Sequence, residues 1–428
     1  MVVHSVHKLS GNFPSANAPN DRRRNRAHRQ TKGEQFSLAY NKLIGDNDFI
    51  LADIVHKGSP SELKPMEAYI RAGPRKTVHF EPTKVRAAIV NCGGLCPGLN
   101  SVIHWLVRTL YELYDAEKVF GVVGGYNGFT GEYAPVELTL DSVADCHHAG
   151  GTMLASSRGG FDLEKIIGFL LEYQIDQLYI IGGDGTHRGA NKVAFECISR
   201  GLNISVAGIP KTIDNDIDVI DRSFGFLTSV EMAQSAIASA KVEARCNLPN
   251  GIGVVKLMGR SAGFIAAYAT LASGDVDLCL IPEVDIEVEG PNSCLTHLRE
   301  RVKAQGYAVV VVAEGAGEEL LGQNTEKDSG GNRKLPKIGE FVKDQVIKNF
   351  EQAGSSATVK YIDPSYMIRS VRANSSDAML CMLLAQNAVH GSMAGYTAFT
   401  TGLVNNRLVY IPIDRIVSSS PRVMDPTG

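Results

Sequence analysis

Long apolar runs are missing from this chain, and so is any pairing of its cysteines. No stretch reaches the roughly 20 consecutive apolar residues that a membrane-spanning helix needs, and the first residues lack the apolar core of a secretory signal. A soluble, cytoplasmic protein with no membrane partner is therefore expected. The eight cysteines stand scattered at 92, 96, 146, 197, 246, 279, 294 and 381 without one CxxC pair. Most lie in apolar stretches, which reads as buried free thiols in a reducing compartment and speaks against a zinc site. An excess of either charge is also absent: 43 Lys and Arg against 46 Asp and Glu leave a formal charge of -3. Proteins that bind nucleic acid generally display a basic field, so no nucleic-acid partner is expected and any positive site must be local.

What the chain does have is size and alternation. At 428 residues, 44% of them hydrophobic, it exceeds one ordinary core and fits two or three domains. Residues 1–80 read as a separate, polar N-terminal extension. Arg22-Arg23-Arg24-Asn25-Arg26 and the acid-free first 20 residues raise a plastid or other organelle transit peptide as the alternative, but Pro14, Asn17, Pro19 and Asn20 spoil an amphipathic helix. From about Val85, short apolar strands alternate with amphipathic helices, the pattern of an α/β fold built on a parallel sheet. A first domain runs over 81–226, a second over 227–369, and part of 370–428 is expected to complete the first. Residues 316–336 read as a polar loop able to act as a lid, and residues 418–428 as untethered.

Two acidic segments stand directly behind apolar runs: Gly182-Gly183-Asp184-Gly185-Thr186 follows 178–181, and Pro210-Lys211-Thr212-Ile213-Asp214-Asn215-Asp216 follows 204–209. If both runs are buried parallel strands, both segments open on the carboxyl edge of one sheet, where ligands bind in open α/β folds. The first can bind phosphate oxygens through backbone N–H groups and a helix dipole, with Asp184 as an oxygen ligand for Mg²⁺; a tight turn with an N-cap Asp is the structural alternative. In the second, Asp214 and Asp216 project the same way if the backbone is extended, one as a general base and the other near a metal. An Asx-rich turn is the alternative there. Gly93 to Gly98, after a strand at 87–90, adds a third glycine turn, and Arg158, between Ser157 and Gly159, is either a phosphate bridge or a surface arginine. The combination points to phosphoryl transfer.

With these segments assembled, the chain closely resembles the 6-phosphofructokinase family, in its ATP-using plant and protist branch. Carrying the resemblance are Gly-Gly-Leu-Cys-Pro-Gly-Leu-Asn (93–100), Gly-Gly-Asp-Gly-Thr (182–186), Ile-Pro-Lys-Thr-Ile-Asp-Asn-Asp-Ile (209–217), Val-Lys-Leu-Met-Gly-Arg (255–260), Ala-Glu-Gly (313–315) and Ile-Asp-Pro-Ser-Tyr (362–366), in family order over roughly 72–415. It implies two Rossmann-like three-layer α/β domains with the active site in the cleft between them, and a homotetramer. It implies ATP as co-substrate, Mg²⁺ as cofactor and fructose 6-phosphate as acceptor in glycolysis. Asp214 falls on the catalytic base, with Thr212 and Ile213 beside the attacking hydroxyl. Asp184 falls on the Mg²⁺ position; Gly93, Arg158, Gly159, Gly183, Gly185 and Thr186 fall on the nucleotide phosphate cradle. Met258, Gly259 and Arg260, Glu314, and Tyr366, Met367, Ile368 and Arg369 fall on the sugar-phosphate site.

The chain departs from the family pattern in places. Bacterial members usually carry His where Tyr366 stands, no arginine near Asn250 matches the one lent by a neighbouring subunit, and the C-terminus is expected to be shortened. Two positions bear on the donor. Pyrophosphate-using members usually carry Asp at 185, where it occupies the α-phosphate space, so Gly185 predicts ATP; Lys211 is shared with pyrophosphate users and pulls the other way. A pyrophosphate-dependent enzyme is one rival reading and a silent regulatory subunit another, although the latter should have lost Asp184, Asp214 or Arg260.

Overall fold

The structure, a computed structural model, describes residues 2–9, 43–52, 66–322, 326 and 334–427. Residues 10–20 and Arg22 to Arg26 of the candidate transit segment, and residues 323–325 and 327–333 of the candidate lid, lie outside the described residues. The chain divides into two compact units. Unit 1 comprises the described parts of Met1–Lys211 with Ile217–Phe224 and Ser375–Ser420; unit 2 comprises Thr212–Asp216, Gly225–Asn374 and the described part of Pro421–Gly428.

In chain order the first strands are β1 (Val2–His4), β2 (His7–Lys8), β3 (Phe49–Leu51), β4 (Glu67–Arg71) and β5 (Arg86–Asn91), followed by helix α1 (Leu99–Arg108). Then come β6 (Lys118–Val122), β7 (Val136–Glu137), α2 (Leu163–Glu172), β8 (Gln177–Gly182), α3 (Asp184–Ser199) and β9 (Ser205–Pro210). Unit 2 supplies α4 (Phe226–Cys246), β10 (Gly251–Leu257), α5 (Phe264–Ser273), β11 (Leu278–Leu280), α6 (Cys294–Gln305), β12 (Tyr307–Ala313), α7 (Glu318–Leu321), α8 (Ile338–Gln352) and β13 (Thr358–Ile362). The chain then returns to unit 1 with α9 (Ser375–Met393), β14 (Tyr396–Thr397), β15 (Phe399–Val404), β16 (Arg407–Pro412) and α10 (Ile413–Ser419).

The main sheet of unit 1 runs β1-β4-β16-β15-β9-β8-β5-β6-β7, with β3 added to β4. Its centre, β15-β9-β8-β5-β6, is parallel. Every residue of β8 and β9 is buried, which is why both read as continuous apolar runs rather than alternating ones. From β5 the chain moves to β6 on one side and to β8 on the other. That reversal is a topological switch point, and the turns after β5 and β8 flank it at the carboxyl edge. The hairpin β15–β16 turns through Asn405 and Asn406, both at positive φ (48° and 57°) as a type I′ turn demands. The Asp221 carboxylate accepts from both of their N–H groups.

Unit 2 holds a four-stranded parallel sheet, β11-β12-β10-β13. Its apolar core joins Val254, Val310 and Val312 to Leu298 and Val302 of α6 and to Val342 and Val346 of α8. Ser293 caps α6 by accepting from the Thr296 N–H, and Gly306, at φ 87°, ends it.

Three expectations need correction. The residues read as a separate extension include β1, β3 and β4, which pair into the main sheet. Strands of three to five residues flanked by polar chain carry too little periodicity to stand out. The last residues, read as untethered, are held through the backbone: Ser420 Oγ accepts from the Asp218 N–H, the Arg422 N–H donates to the Asp216 carbonyl, and the Met424 N–H donates to Glu283 Oε1. Backbone tethers leave no mark in composition. Among the described residues no helix is long and apolar enough to cross a membrane. Of the thiols expected to be buried, Cys246 is exposed and Cys146, Cys279 and Cys294 are half-buried.

Leu298 is fully buried between α6 and the unit 2 sheet. Leu298→Ala should lower stability by about 2–5 kcal/mol, read as a fall in the urea midpoint of the transition reporting on unit 2.

Candidate active site

The donor-side turn begins where β8 ends. Gly182 pairs in register with Pro210, and the Lys211 N–H donates to the Gly182 carbonyl, so the ends of β8 and β9 are level. A Cβ at Gly182 would lie 2.4 Å from Thr186, so glycine is what allows α3 to start at once. Gly183 is the N-cap, and Asp184 enters the first turn, where an acid is favoured by the helix dipole. Asp184 Oδ2 lies 2.7 Å from Arg188 Nη2 one turn on. A Cβ built at Gly185 meets no atom within 4 Å.

Lys211 joins this turn to the one after β5. It is 5% exposed, and its Nζ donates to the Gly94 carbonyl at 2.8 Å. The segment around Arg158 is sewn to the same place: Ser156 Oγ donates to the Gly93 carbonyl at 2.6 Å, the Gly93 N–H donates to the Ser157 carbonyl, and Ser157 Oγ donates to the Gly124 carbonyl. Gly93, Arg158, Gly159, Gly183, Asp184, Gly185, Thr186 and Lys211 thus belong to one unit, on turns joined by hydrogen bonds.

The second acidic segment is a bend, not an extended strand end. Asn215 has φ 56°, which breaks the alternation that would have aligned Asp214 with Asp216. Asp216 Oδ1 accepts from Thr212 Oγ1 at 2.9 Å, and that hydroxyl accepts from the Asp214 N–H at 3.1 Å. Arg422 Nε donates to the Asn215 carbonyl. Asp216 is therefore an internal acceptor for the hydroxyl of Thr212, which in turn closes the bend on the Asp214 N–H; Asp214 is half-buried and Ile213 turns into the interior.

In unit 2 the ends of β10 and β12 are level, Leu257 opposite Ala313. The Glu314 N–H donates to the Leu257 carbonyl and the Gly315 N–H to that of Gly259. A Cβ at Gly315 would lie 1.9 Å from the Arg260 carbonyl oxygen, so that glycine allows Met258, Gly259 and Arg260 to pack beside Glu314. After β13, Tyr366 and Met367 are exposed, and the Arg369 guanidinium lies 5.0 Å from the centre of the Tyr366 ring. Ile368 is 1% exposed and donates no side chain to this surface; its carbonyl accepts from Ser229 Oγ. Its side chain is therefore not available to the sugar-phosphate role expected of this segment.

The phosphofructokinase family model matches residues 86–405. This chain belongs to the phosphofructokinase family. Among its relatives, ATP-dependent 6-phosphofructokinase 2 of Arabidopsis thaliana is 49% identical over 387 residues, covering 89% of this chain and 86% of the relative. ATP-dependent 6-phosphofructokinase of Borreliella burgdorferi is 45% identical over 367 residues, 84% of this chain and 82% of the relative. A pyrophosphate-dependent phosphofructokinase from Marinobacter aquaeolei matches as a structure with a TM-score of 0.68 at 22% identity, over 80% of this chain and 86% of that one. At that identity the likeness concerns the fold.

In this phosphofructokinase, several supporting groups were not read from sequence. Asn91, at the end of β5, donates to the Ala155 carbonyl and accepts from Thr152 Oγ1, both at 2.7 Å, orienting the segment that leads to Arg158. A lone Asn closing an apolar strand was the available signal. Lys256 Nζ lies 2.8 Å from Asp363 Oδ2. Burial raises the Asp363 pKa, but hydrogen bonds from Lys256 and Ser365 outweigh it and hold the carboxyl below its ordinary value. Burial pushes the Cys92 thiol, just before Gly93, up to about 12, so it is inert as a nucleophile.

Burial also pushes the imidazoles of His104, His147 and His187 below their ordinary value. In the unfolded chain they take up protons near pH 6.5, while the folded chain keeps them neutral below that pH. The unfolded state then binds more protons, so stability is fully present above about pH 6.5 and falls as the pH drops toward the folded values. The melting temperature should be lower at about pH 5.5 than at about pH 7.5, and His187→Asn should narrow that difference.

Proposed function

We propose that this chain is an ATP-dependent 6-phosphofructokinase, transferring the γ-phosphoryl group of ATP to the 1-hydroxyl of fructose 6-phosphate to give fructose 1,6-bisphosphate and ADP. The near-full-length similarity to proteins named for that activity carries the reading. The open space beside Gly185 agrees with it: among the described residues no neighbouring side chain comes within 4 Å of a Cβ built there, which leaves room on that side for a nucleotide's inner phosphates.

Mg²⁺ fits the donor turn. One carboxylate, Asp184, stands at a helix N-terminus, and Mg²⁺ is commonly held by one or two carboxylates with substrate phosphates and waters completing its shell. When bound, it neutralises charge on the phosphates. The rest falls to the protein's own groups. Backbone N–H groups of the Gly93 and Gly183 turns and Arg158 orient the donor; Lys211 offers a cation to its terminal phosphate. Arg260 and Arg369 suit the 6-phosphate, and Glu314 suits the sugar hydroxyls.

Asp214 accepts the proton of the 1-hydroxyl as that oxygen bonds to the γ-phosphorus. The bond from γ-phosphorus to the bridging oxygen breaks, ADP leaves, and the proton passes from Asp214 to water. The bend suits this role, since the Thr212–Asp216 hydrogen bond and the Asp214 N–H to Thr212 Oγ1 fix the main chain at Asp214.

Asp214→Asn should lower kcat by about 10²–10⁴-fold and change the KM for fructose 6-phosphate by no more than about threefold. A small change in kcat rejects the base assignment. Gly185→Asp should fold normally, because its Cβ meets open space in a helical backbone. It should raise the KM for ATP at least about tenfold, or ~1.4 kcal/mol. Assays of wild type and variant with ATP and with pyrophosphate separate the two donors; wild-type turnover with pyrophosphate alone would reject the ATP reading in favour of the one that Lys211 recommends.

A further inference from the structure

β9 carries a glycine in its buried interior. Glycine weakens a strand there and marks a place where another group approaches closely. A Cβ at Gly208 would lie 2.7 Å from Nε2 of His187 and 3.1 Å from Oγ1 of Thr400. The glycine makes room for an imidazole that is 1% exposed.

That imidazole bridges two elements. Its Nδ1 lies 3.0 Å from the Gly183 carbonyl oxygen and its Nε2 lies 3.1 Å from Thr400 Oγ1 on β15. Thr400 Oγ1 is also 2.9 Å from the Gly208 carbonyl. The backbone N–H of His187 donates to the same Gly183 carbonyl at 3.0 Å, the ordinary helical bond. One oxygen at the head of α3 is therefore addressed by both the main chain and the side chain of His187.

The consequence follows from peptide planarity. In a trans peptide the carbonyl of Gly183 and the N–H of Asp184 point in opposite directions. Holding the carbonyl back along the helix turns the Asp184 N–H outward from the helix N-terminus, the direction from which an anion approaches. A single helical bond allows this first peptide to rock, as helix ends fray; a second donor on the same oxygen opposes that motion.

We propose that His187 is a positioning residue for the phosphoryl donor: its Nδ1–H, donated to the Gly183 carbonyl, sets the orientation of the peptide that presents the Asp184 N–H to the donor's phosphates. This rests on the donor-site reading of the turn given above. It requires the tautomer with the proton on Nδ1, in which the single proton of the Thr400 hydroxyl turns to Nε2 in place of the Gly208 carbonyl. β9 and β15 then brace the ring from behind, and Gly208 is the space in which it sits.

Three variants separate positioning from packing. His187→Asn places an amide donor near the Nδ1 position, His187→Gln reaches toward Thr400 instead, and His187→Leu keeps bulk without either bond. Binding of MgATP by isothermal titration, and the KM for ATP and for fructose 6-phosphate, are measured for each. His187→Asn should stay within about threefold of wild type for ATP, while His187→Gln and His187→Leu weaken ATP binding about tenfold or more. The KM for fructose 6-phosphate should hold in all three. Equal ATP affinity in the folded variants, or matched losses for ATP and fructose 6-phosphate, overturns the proposal. If His187→Leu does not fold, the Asn and Gln variants carry the same comparison. A wild-type protein that binds and uses pyrophosphate but not ATP overturns the functional reading instead; the same ranking measured with pyrophosphate then upholds the role of His187, and its absence overturns it. A wild-type protein that binds neither anion overturns both.

Discussion

The two glycine turns at the switch point depend on a buried lysine. Lys211 is 5% exposed, and removing a charge from water is costly unless its donors are used. It serves two turns: its backbone N–H goes to Gly182 and its side chain to Gly94. The first bond levels the ends of β8 and β9; the second pulls the turn after β5 against them. Those bonds extend past the strand ends the link that the Cys92 N–H makes to the Ile181 carbonyl at the base of the same two turns. With them, the two turns are held together by the protein's own hydrogen bonds, so a ligand there would have less to order.

The residues read as the acceptor group in unit 2 are organised differently, by backbone and by acids that accept from the protein itself. Asp216 is used up in holding Thr212, and Glu283 in accepting from Gly263 and Met424. The close approach of Gly315 to the Arg260 carbonyl does the rest. Charge pairing at the rim, such as Lys256 with Asp363, fixes the exit of β13 toward Tyr366 and Arg369. Since both partners are partly exposed, its worth lies in geometry more than in stability.

Much of this was legible in the sequence, and the parts that were not share a cause. Strands 178–181 and 204–209 were readable because burial on both faces leaves continuous apolar runs, and the glycine turns were readable because each needs a residue without a side chain. The role of Asp216 was not, because strand alternation applies only while the backbone stays extended, and the positive φ of Asn215 ends it. Ile368 resembled its exposed neighbours in the motif, yet points inward. His187 sat one residue beyond the glycine-rich motif with nothing to distinguish it; the only trace was Gly208, a glycine in a strand that had no local use for one. β1, β3 and β4 were missed because strands so short are stabilised by their partners rather than by their own pattern.

The disagreement between Gly185 and Lys211 over the donor also resolves once the lysine's bonds are known. If Lys211 served only a terminal phosphate, its presence would be a statement about the donor, and it would favour pyrophosphate. Its bond to the Gly94 carbonyl gives it a second duty that is the same whichever donor is bound. A residue retained for the shape of the cradle says little about what the cradle holds. Gly185 has no comparable structural duty: it lies in a helix where glycine is unfavourable, and no neighbour would collide with a side chain there. A glycine that costs helix stability and relieves no clash within the protein makes most sense if the space it leaves is needed by something else, and an inner phosphate of a nucleotide is a group that needs it.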